Sequence, residues 1–226
     1  MTQVNATTNF IVNDANFNMI EQQIRTWDVL DPVVLDLFNT ISREKFVSES
    51  QKGLAFADVE LPIGHGQTML SPKIEGKILQ SLQIKPTEKV LVIGTGSGYL
   101  TALAATLANS VIAIEIHAEL AAMADKRLKQ QSIHHVRMIV GDGIDGVLES
   151  SPYDVIIYTG SLEMRAKKVE RMLTVGGRLF AVIGMAPIMQ ATLTERVSET
   201  VFKHEAIFET SLPPMINAAK LDKFEF

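Results

Sequence analysis

The chain has 226 residues, enough for one large α/β domain with an extension rather than two full domains. Hydrophobic residues make up 46% and supply a sizeable core, while a net charge of −5 argues against a broad nucleic-acid-binding surface. There is no cysteine, which excludes disulfides, thiolate metal sites and cysteine nucleophiles, and the histidines lack zinc-type spacing, so no metal is expected.

Residues 1–17 are polar, rich in Asn and without periodicity, and they read as loose. They lack the basic and apolar regions of a signal peptide, and no run of 18 apolar residues follows. A cytoplasmic protein without a membrane partner is therefore expected. Met19, Ile20, Ile24 and Trp27 recur at helical spacing, with Trp27 read as a packing residue. Asp31-Pro32 starts a second helix, whose apolar face is Val34, Leu35, Leu37, Phe38 and Ile41. Asp58 to Pro72 holds two prolines and two glycines between its ends and reads as a loop rather than a regular element. Its polar side chains, His65, Gln67, Thr68 and Ser71, make it a candidate substrate loop. Ile74, Ile78, Leu79 and Leu82 form a helix leading to Lys85-Pro86. Residues 1–84 are thus an N-terminal helical extension with the substrate loop, joined to an α/β domain over 85–226 in one structural unit.

From Val90 onward strand and helix alternate. Strands are expected over 90–93, 110–116, 136–140, 153–159 and 178–183. Helices are expected after the first glycine loop, over 118–130 and over 164–173, with Gly176-Gly177 turning into the fifth strand. This order means a doubly wound, mostly parallel, Rossmann-like sheet. Two β-like runs, 191–197 and 201–210, separated by a polar turn, suggest antiparallel strands at the sheet edge. The basic residues Arg165, Lys167, Lys168 and Arg171 read as one solvated helix face.

The stretch Val90 to Ala105, VLVIGTGSGYLTALAA, organises the rest. A buried strand runs into Gly94-Thr95-Gly96-Ser97-Gly98 and then a helix N-terminus, whose free N–H groups and positive dipole end face any ligand. No lysine follows the glycines, which excludes a phosphate-binding P-loop. A dinucleotide fingerprint needs a small residue at the sixth position, where Tyr99 stands. The Gly-x-Gly-x-Gly spacing is that of S-adenosylmethionine-dependent methyltransferases.

In an open α/β sheet the ligand lies beyond the carboxyl ends of the strands. Those ends carry Gly94 to Gly98, then Glu115 and Ile116, then Asp142-Gly143, then Thr159 with Gly160. Glu115 is placed to accept both ribose hydroxyls and Asp142 to accept from an adenine amino group. S-adenosyl-L-methionine is the expected cofactor, with S-adenosyl-L-homocysteine as product.

The combination of MIEQQIR, LPIGHGQT with a nearby proline, IGTGSGY, Glu115, GDG and DVIIYT resembles the protein-L-isoaspartate O-methyltransferases, from about Met19 to Gly184. The resemblance implies a class I methyltransferase fold and methyl transfer to the α-carboxylate of L-isoaspartyl residues in damaged peptides or proteins, a repair activity. The ester then closes to a succinimide, part of which reopens as aspartate. The sequence departs from the family pattern at three places. Leu70 stands at the usual serine of the substrate loop, with Ser71 one place later. Lys73 replaces an aromatic or histidine, and Val92 replaces an acidic residue two before Gly94. Ser71 and Thr68 are the candidate catalytic contacts, with His65, Gln67 and Leu70 as substrate-loop residues and reduced isoaspartyl methylation expected. A carboxylate at position 92 would help hold the cofactor ammonium, so Val92→Glu is expected to bind cofactor more tightly unless burying the acid costs more. Two alternatives stay open: a methyltransferase of this fold acting on another carboxylate or small molecule, and a cofactor-binding homologue with weak or no isoaspartyl activity.

Overall fold

The structure, a computed structural model, describes residues 14–221. The loose segment expected at 1–17 lies mostly outside the described residues. Met19, Ile20 and Ile24 are buried as their spacing predicts, but Met19–Ile24 is wound as a π-helix followed by a 3-10 turn, Arg25–Trp27. Asp28, in the left-handed region, ends it. The Trp27 ring is partly exposed and carries the Lys73 ammonium 4.2 Å from its centroid. Pro32–Thr40 is helix α1, capped by Asp31, whose carboxylate accepts from Val33 N–H at 2.8 Å.

The expected loop over 58–72 is instead largely a hairpin. Leu61–Gly64 (β1) pairs antiparallel with Gln67–Met69 (β2). Gly64, His65 and Gly66 all take positive φ, and this lets the chain reverse tightly between two short strands. Pro62 is tolerated because a two-stranded ribbon has a free edge. Pro72–Leu82 (α2) follows, with proline in its first turn.

The remaining elements are β3 (Lys89–Ile93), α3 (Tyr99–Leu107), β4 (Ser110–Glu115), α4 (Ala118–Gln130), β5 (Val136–Val140), β6 (Tyr153–Leu162), α5 (Lys167–Glu170), β7 (Leu173–Met185), β8 (Ile188–Arg196) and β9 (Phe202–Glu209). They form one seven-stranded sheet in the order β5-β4-β3-β6-β7-β8-β9. The pairs from β5 to β7 are parallel, and β7–β8 and β8–β9 are antiparallel. The expected doubly wound sheet with antiparallel edge strands is therefore present. A second expectation fails: the helix over 164–173 is a single turn, α5. Strand β6 extends to Leu162 and β7 already begins at Leu173, where it meets Tyr153, so too few residues remain for a long helix. The basic cluster splits accordingly. Lys168 reaches Asp145 at 2.6 Å, whereas Arg165 contacts His204 on β9.

Alternation along β3 builds two apolar layers. Val90 and Val92 face a layer that includes Phe38, Phe46, Ile78 and Tyr99, so the N-terminal extension and the α/β sheet share it. Leu91 and Ile93 face the other layer, with Tyr153, Tyr158, Val169 and Met172. Arg178 on β7 braces the first layer by donating to Leu82 O at 2.9 Å and to Glu88 at 2.6 Å. In register, Ile93, the last residue of β3, lies level with Ile114 and Tyr158, so β3 and β4 end within one residue of each other while β6 runs on to Leu162. The chain order reverses between β3 and β6, which leaves a crevice at their carboxyl ends.

Candidate active site

A cleft of about 680 Å³, its open mouth included, occupies that crevice. The carboxyl end of β3 contributes Gly94 and Gly96, β4 contributes Glu115 and Ile116, β5 leads into Asp142 and Gly143, and β6 contributes Thr159 and Gly160. The hairpin contributes Ile63, Gln67, Thr68 and Leu70 from the opposite side. Two carboxylates line the cleft, while no lysine, arginine or histidine does so among the described residues. A low-dielectric crevice with that balance favours a cationic ligand.

Glu115 is nearly inaccessible to solvent, at 4%. Its Oε2 accepts from Gly96 N–H at 2.9 Å and its Oε1 from His117 N–H at 3.0 Å. One lone pair on each oxygen is left for further donors. Thr159 ties β6 to the glycine loop by donating to Gly94 O at 2.6 Å. Gly94 and Gly96 take positive φ, and a Cβ at Gly94 would come within 2.5 Å of Thr159 Oγ1. At Gly143 a Cβ would approach Ile114 Cγ2 to 2.4 Å, so glycine is required there for packing. Asp142 Oδ1 accepts from Ile144 N–H at 2.9 Å and Oδ2 from the Asn217 amide at 2.8 Å.

A smaller recess opens behind the cleft between the hairpin, α2 and the glycine loop. Thr95 and Ser97 line it together with Thr68, Leu70 and Glu75. The Thr95 hydroxyl is buried there without a partner among the described residues. Gly98 lies outside both cavities; its positive φ starts α3, and Ala124 of α4 packs 3.1 Å from where its Cβ would be.

The two candidate catalytic hydroxyls separate. Thr68 lines the cleft, and its hydroxyl donates to Glu60 at 3.0 Å. Ser71 does not line the cleft; it is buried at the N-cap of α2. Leu70 lines the cleft instead. His65 sits at the hairpin turn, stacked on His117 with ring centroids 4.4 Å apart, outside the lining. Lys73 forms an ion pair with Asp58 at 2.6 Å.

Three contributions were missed in the sequence. Ile63 reaches over Gly96, its Cδ1 3.0 Å from where a Cβ would lie. The segment Pro213–Ile216 roofs the cleft, with Met215 against Gly94 and Gly160. Ser161 holds that roof, donating from its N–H to Pro213 O at 2.9 Å and from its hydroxyl to Leu212 O at 2.9 Å. The third is a fully buried pair, Arg43 and Glu75. Burial pushes the Glu75 carboxyl up to about 8, with Arg43 pulling the other way. Glu75 falls in helical phase with Ile78, Leu79 and Leu82, which was the available signal of its burial. Val92 is wholly buried in the apolar layer, so a carboxylate there would have to be desolvated.

The switch-point cleft, the glycine turn after β3 and the acidic residue ending β4 define a Rossmann-like class I methyltransferase. The solved structures agree on the fold. A Plasmodium falciparum chain assigned as a protein-L-isoaspartate O-methyltransferase and crystallised with S-adenosyl-L-homocysteine superimposes with a TM-score of 0.75, covering 88% of this chain and 96% of its own at 19% identity. A second structure of that activity gives a TM-score of 0.76 at 22% identity, covering 90% of this chain and 65% of its own. The sequence profile of the protein-L-isoaspartate(D-aspartate) O-methyltransferase family matches residues 14–215. A Geotalea uraniireducens protein-L-isoaspartate O-methyltransferase is 36% identical over 90% of this chain and 91% of its own length. A Protochlamydia amoebophila counterpart is 40% identical over 79% and 84%. The chain belongs to the protein-L-isoaspartate O-methyltransferase family.

Proposed function

We propose that this chain transfers a methyl group from S-adenosyl-L-methionine to the α-carboxylate of L-isoaspartyl residues in damaged proteins. The observation that carries this reading is the cleft at the switch point, which is bounded by two strand-end carboxylates, is free of cations among the described residues, and faces the Gln67–Leu70 arm of the hairpin. The residues fit the cofactor. Glu115 retains lone pairs for ribose hydroxyls, Asp142 on the same cleft is the acceptor we assign to an adenine amino group, and the glycine backbone permits close approach. When bound, the cofactor supplies an electrophilic methyl group on a sulfonium sulfur. The acceptor carboxylate is ionised at neutral pH, so this chain need not furnish a general base. Its task is orientation and exclusion of water: Thr68 is the hydroxyl at hand on the acceptor side, and Leu70, Met215 and Ile63 are the apolar surfaces that dry the site. No helix among the described residues is long and apolar enough to cross a membrane. We infer a cytoplasmic protein without a nucleic-acid partner, consistent with its net charge of −5.

A second reading, methylation of another carboxylate or a small molecule, draws support from Leu70, an apolar residue on the cleft wall where the family carries a serine. Turnover with methyl-labelled cofactor on an isoaspartyl peptide beside its aspartyl control separates the two. Label in the isoaspartyl peptide alone supports repair, and label in neither peptide despite cofactor binding supports the second reading.

A further inference from the structure

Arg43 is the largest fully buried side chain of the described residues, brought in from the N-terminal extension by the 3-10 turn Arg43–Phe46. A buried guanidinium is expensive to desolvate, and a buried ion pair is by itself weak evidence of a stabilising role. Its contacts converge on the wall between hairpin and glycine loop. One terminal nitrogen donates to the Glu75 carboxyl group of α2, and the other donates to the Leu70 carbonyl at 2.5 Å. The guanidinium also lies 5.4 Å from the ring centroid of Tyr99, the first residue of α3. The Tyr99 hydroxyl in turn donates to Ile41 O at 3.1 Å. Residues 41–43 therefore grip both the acceptor-side loop and the helix that follows the glycine loop.

The grip has a directional consequence. The only cis peptides among the described residues precede Pro152 and Pro187, so the Leu70–Ser71 peptide is trans. With its carbonyl turned to Arg43, its N–H on Ser71 points to the opposite side. That N–H donates to no protein group among the described residues, although Ser71 is buried. Buried amide donors nearly always have partners, so this one calls for a ligand. Leu70, the other residue of the same peptide, lines both the cleft and the recess, whereas Ser71 itself lines neither and its N–H lies one atom behind that wall.

We propose that the Ser71 N–H is a donor to a carboxylate bound between the hairpin and the glycine loop, and that Arg43, backed by Glu75, is the positioning residue that aims it. The proposal rests on the methyl-transfer reading above. It supplies from the backbone the hydrogen bond that the Leu70 side chain lacks. The carboxylate belongs either to the methyl acceptor or to the amino-acid end of the cofactor.

Proline at position 71 removes this N–H without a φ penalty, the Ser71 φ of −70° being already that of proline, and Ser71→Ala controls for loss of the hydroxyl. Ser71→Pro is compared with Ser71→Ala in two arms. The first is the ratio of Kd for S-adenosylhomocysteine to Kd for 5′-methylthioadenosine, which has no carboxylate. The second is KM and kcat for an isoaspartyl peptide. Relative to Ser71→Ala, Ser71→Pro is expected to raise the Kd ratio at least tenfold if the cofactor carboxylate is held, or to lower kcat/KM at least tenfold if the acceptor is. Arg43→Lys keeps the charge but loses the fork that spans Glu75 and Leu70, and it shifts the same arm in the same direction. Values within twofold of each other in both arms, for folded Ser71→Pro and Ser71→Ala, overturn the proposal. Should Ser71→Pro not fold, Arg43→Lys decides, and wild-type values in both arms overturn it. Wild-type protein without isoaspartyl turnover refutes the functional reading, and the first arm then still decides the donor.

Discussion

Replacing Glu115 tests two roles of one carboxylate at once. In the structure it accepts two backbone N–H groups, at 2.9 and 3.0 Å, in a position with 4% exposure. Hydrogen bonds to a charged group contribute about 1.5–3 kcal/mol each. Glu115→Ala removes both, and water entering the vacated space offsets part of the loss, so the net cost to stability is about 2–4 kcal/mol. For a domain of this size that corresponds to a fall in Tm of about 5–12 °C. Glu115→Gln keeps one amide acceptor but turns an NH2 toward the other N–H, so it is expected between wild type and Ala. Separately, loss of the ribose contacts weakens cofactor binding by about 1–3 kcal/mol, roughly five- to 150-fold in Kd. The assay is calorimetric titration with S-adenosylhomocysteine beside a thermal melt of each variant. A Glu115→Ala protein that melts with wild type refutes its role in holding the glycine loop. One that melts lower but binds with unchanged affinity removes Glu115 from the ribose.

Gly143→Ala forces a methyl to within 2.4 Å of Ile114 and 3.1 Å of Ile93, both on the cleft wall. It should cost about 1–3 kcal/mol in denaturant unfolding and weaken cofactor binding measurably by calorimetry. Val92→Glu buries a carboxylate in the apolar layer and should destabilise by about 3 kcal/mol or more in urea titration, rather than tighten cofactor binding. Leu70→Ser should raise kcat/KM on an isoaspartyl peptide about tenfold, while its lost burial costs about 2–4 kcal/mol; unchanged kcat/KM in the folded variant argues for a different acceptor. The Glu75 carboxyl is raised from 4.5 to about 8, so the folded chain keeps a proton that the unfolded chain releases between those values. Its contribution to stability is greatest below pH 4.5 and is lost as pH rises through 8, and Glu75→Gln should flatten that slope in melts at pH 5 and pH 8.

The parallel core was legible because each strand from β3 to β6 is a short apolar run closed by glycine or a polar residue. The strand ends then delivered Glu115, Asp142 and Thr159 to one crevice in the expected order. The hairpin was not legible. Its glycines and prolines signal irregularity by composition, and only the three successive positive φ angles at 64–66 turn that composition into a strand reversal. The helix expected at 164–173 failed because strand pairing claimed both of its ends, at Leu162 and Leu173. Arg43 and Glu75 lie 32 residues apart, and nothing local in either segment marks them as partners. The roof residues 213–216 were overlooked for a related reason: prolines after the last strand carry no local mark of a cleft contact, whereas Ser161 draws them back across the cleft.

That roof divides the labour of the site along the chain. The walls expected to grip the cofactor come from residues 93–160, where many positions are also strand ends or close glycine contacts. Met215 packs on Gly94, Gly160 and the second apolar layer, but the segment belongs to no strand of the seven-stranded sheet; it hangs from Ser161 and from the Asn217–Asp142 contact. Substitutions there can therefore accumulate without unsettling the sheet. A family built this way can vary the shape of what it admits to the cleft while leaving the glycine cradle untouched, and acceptor preference is free to drift on a fixed chemical engine.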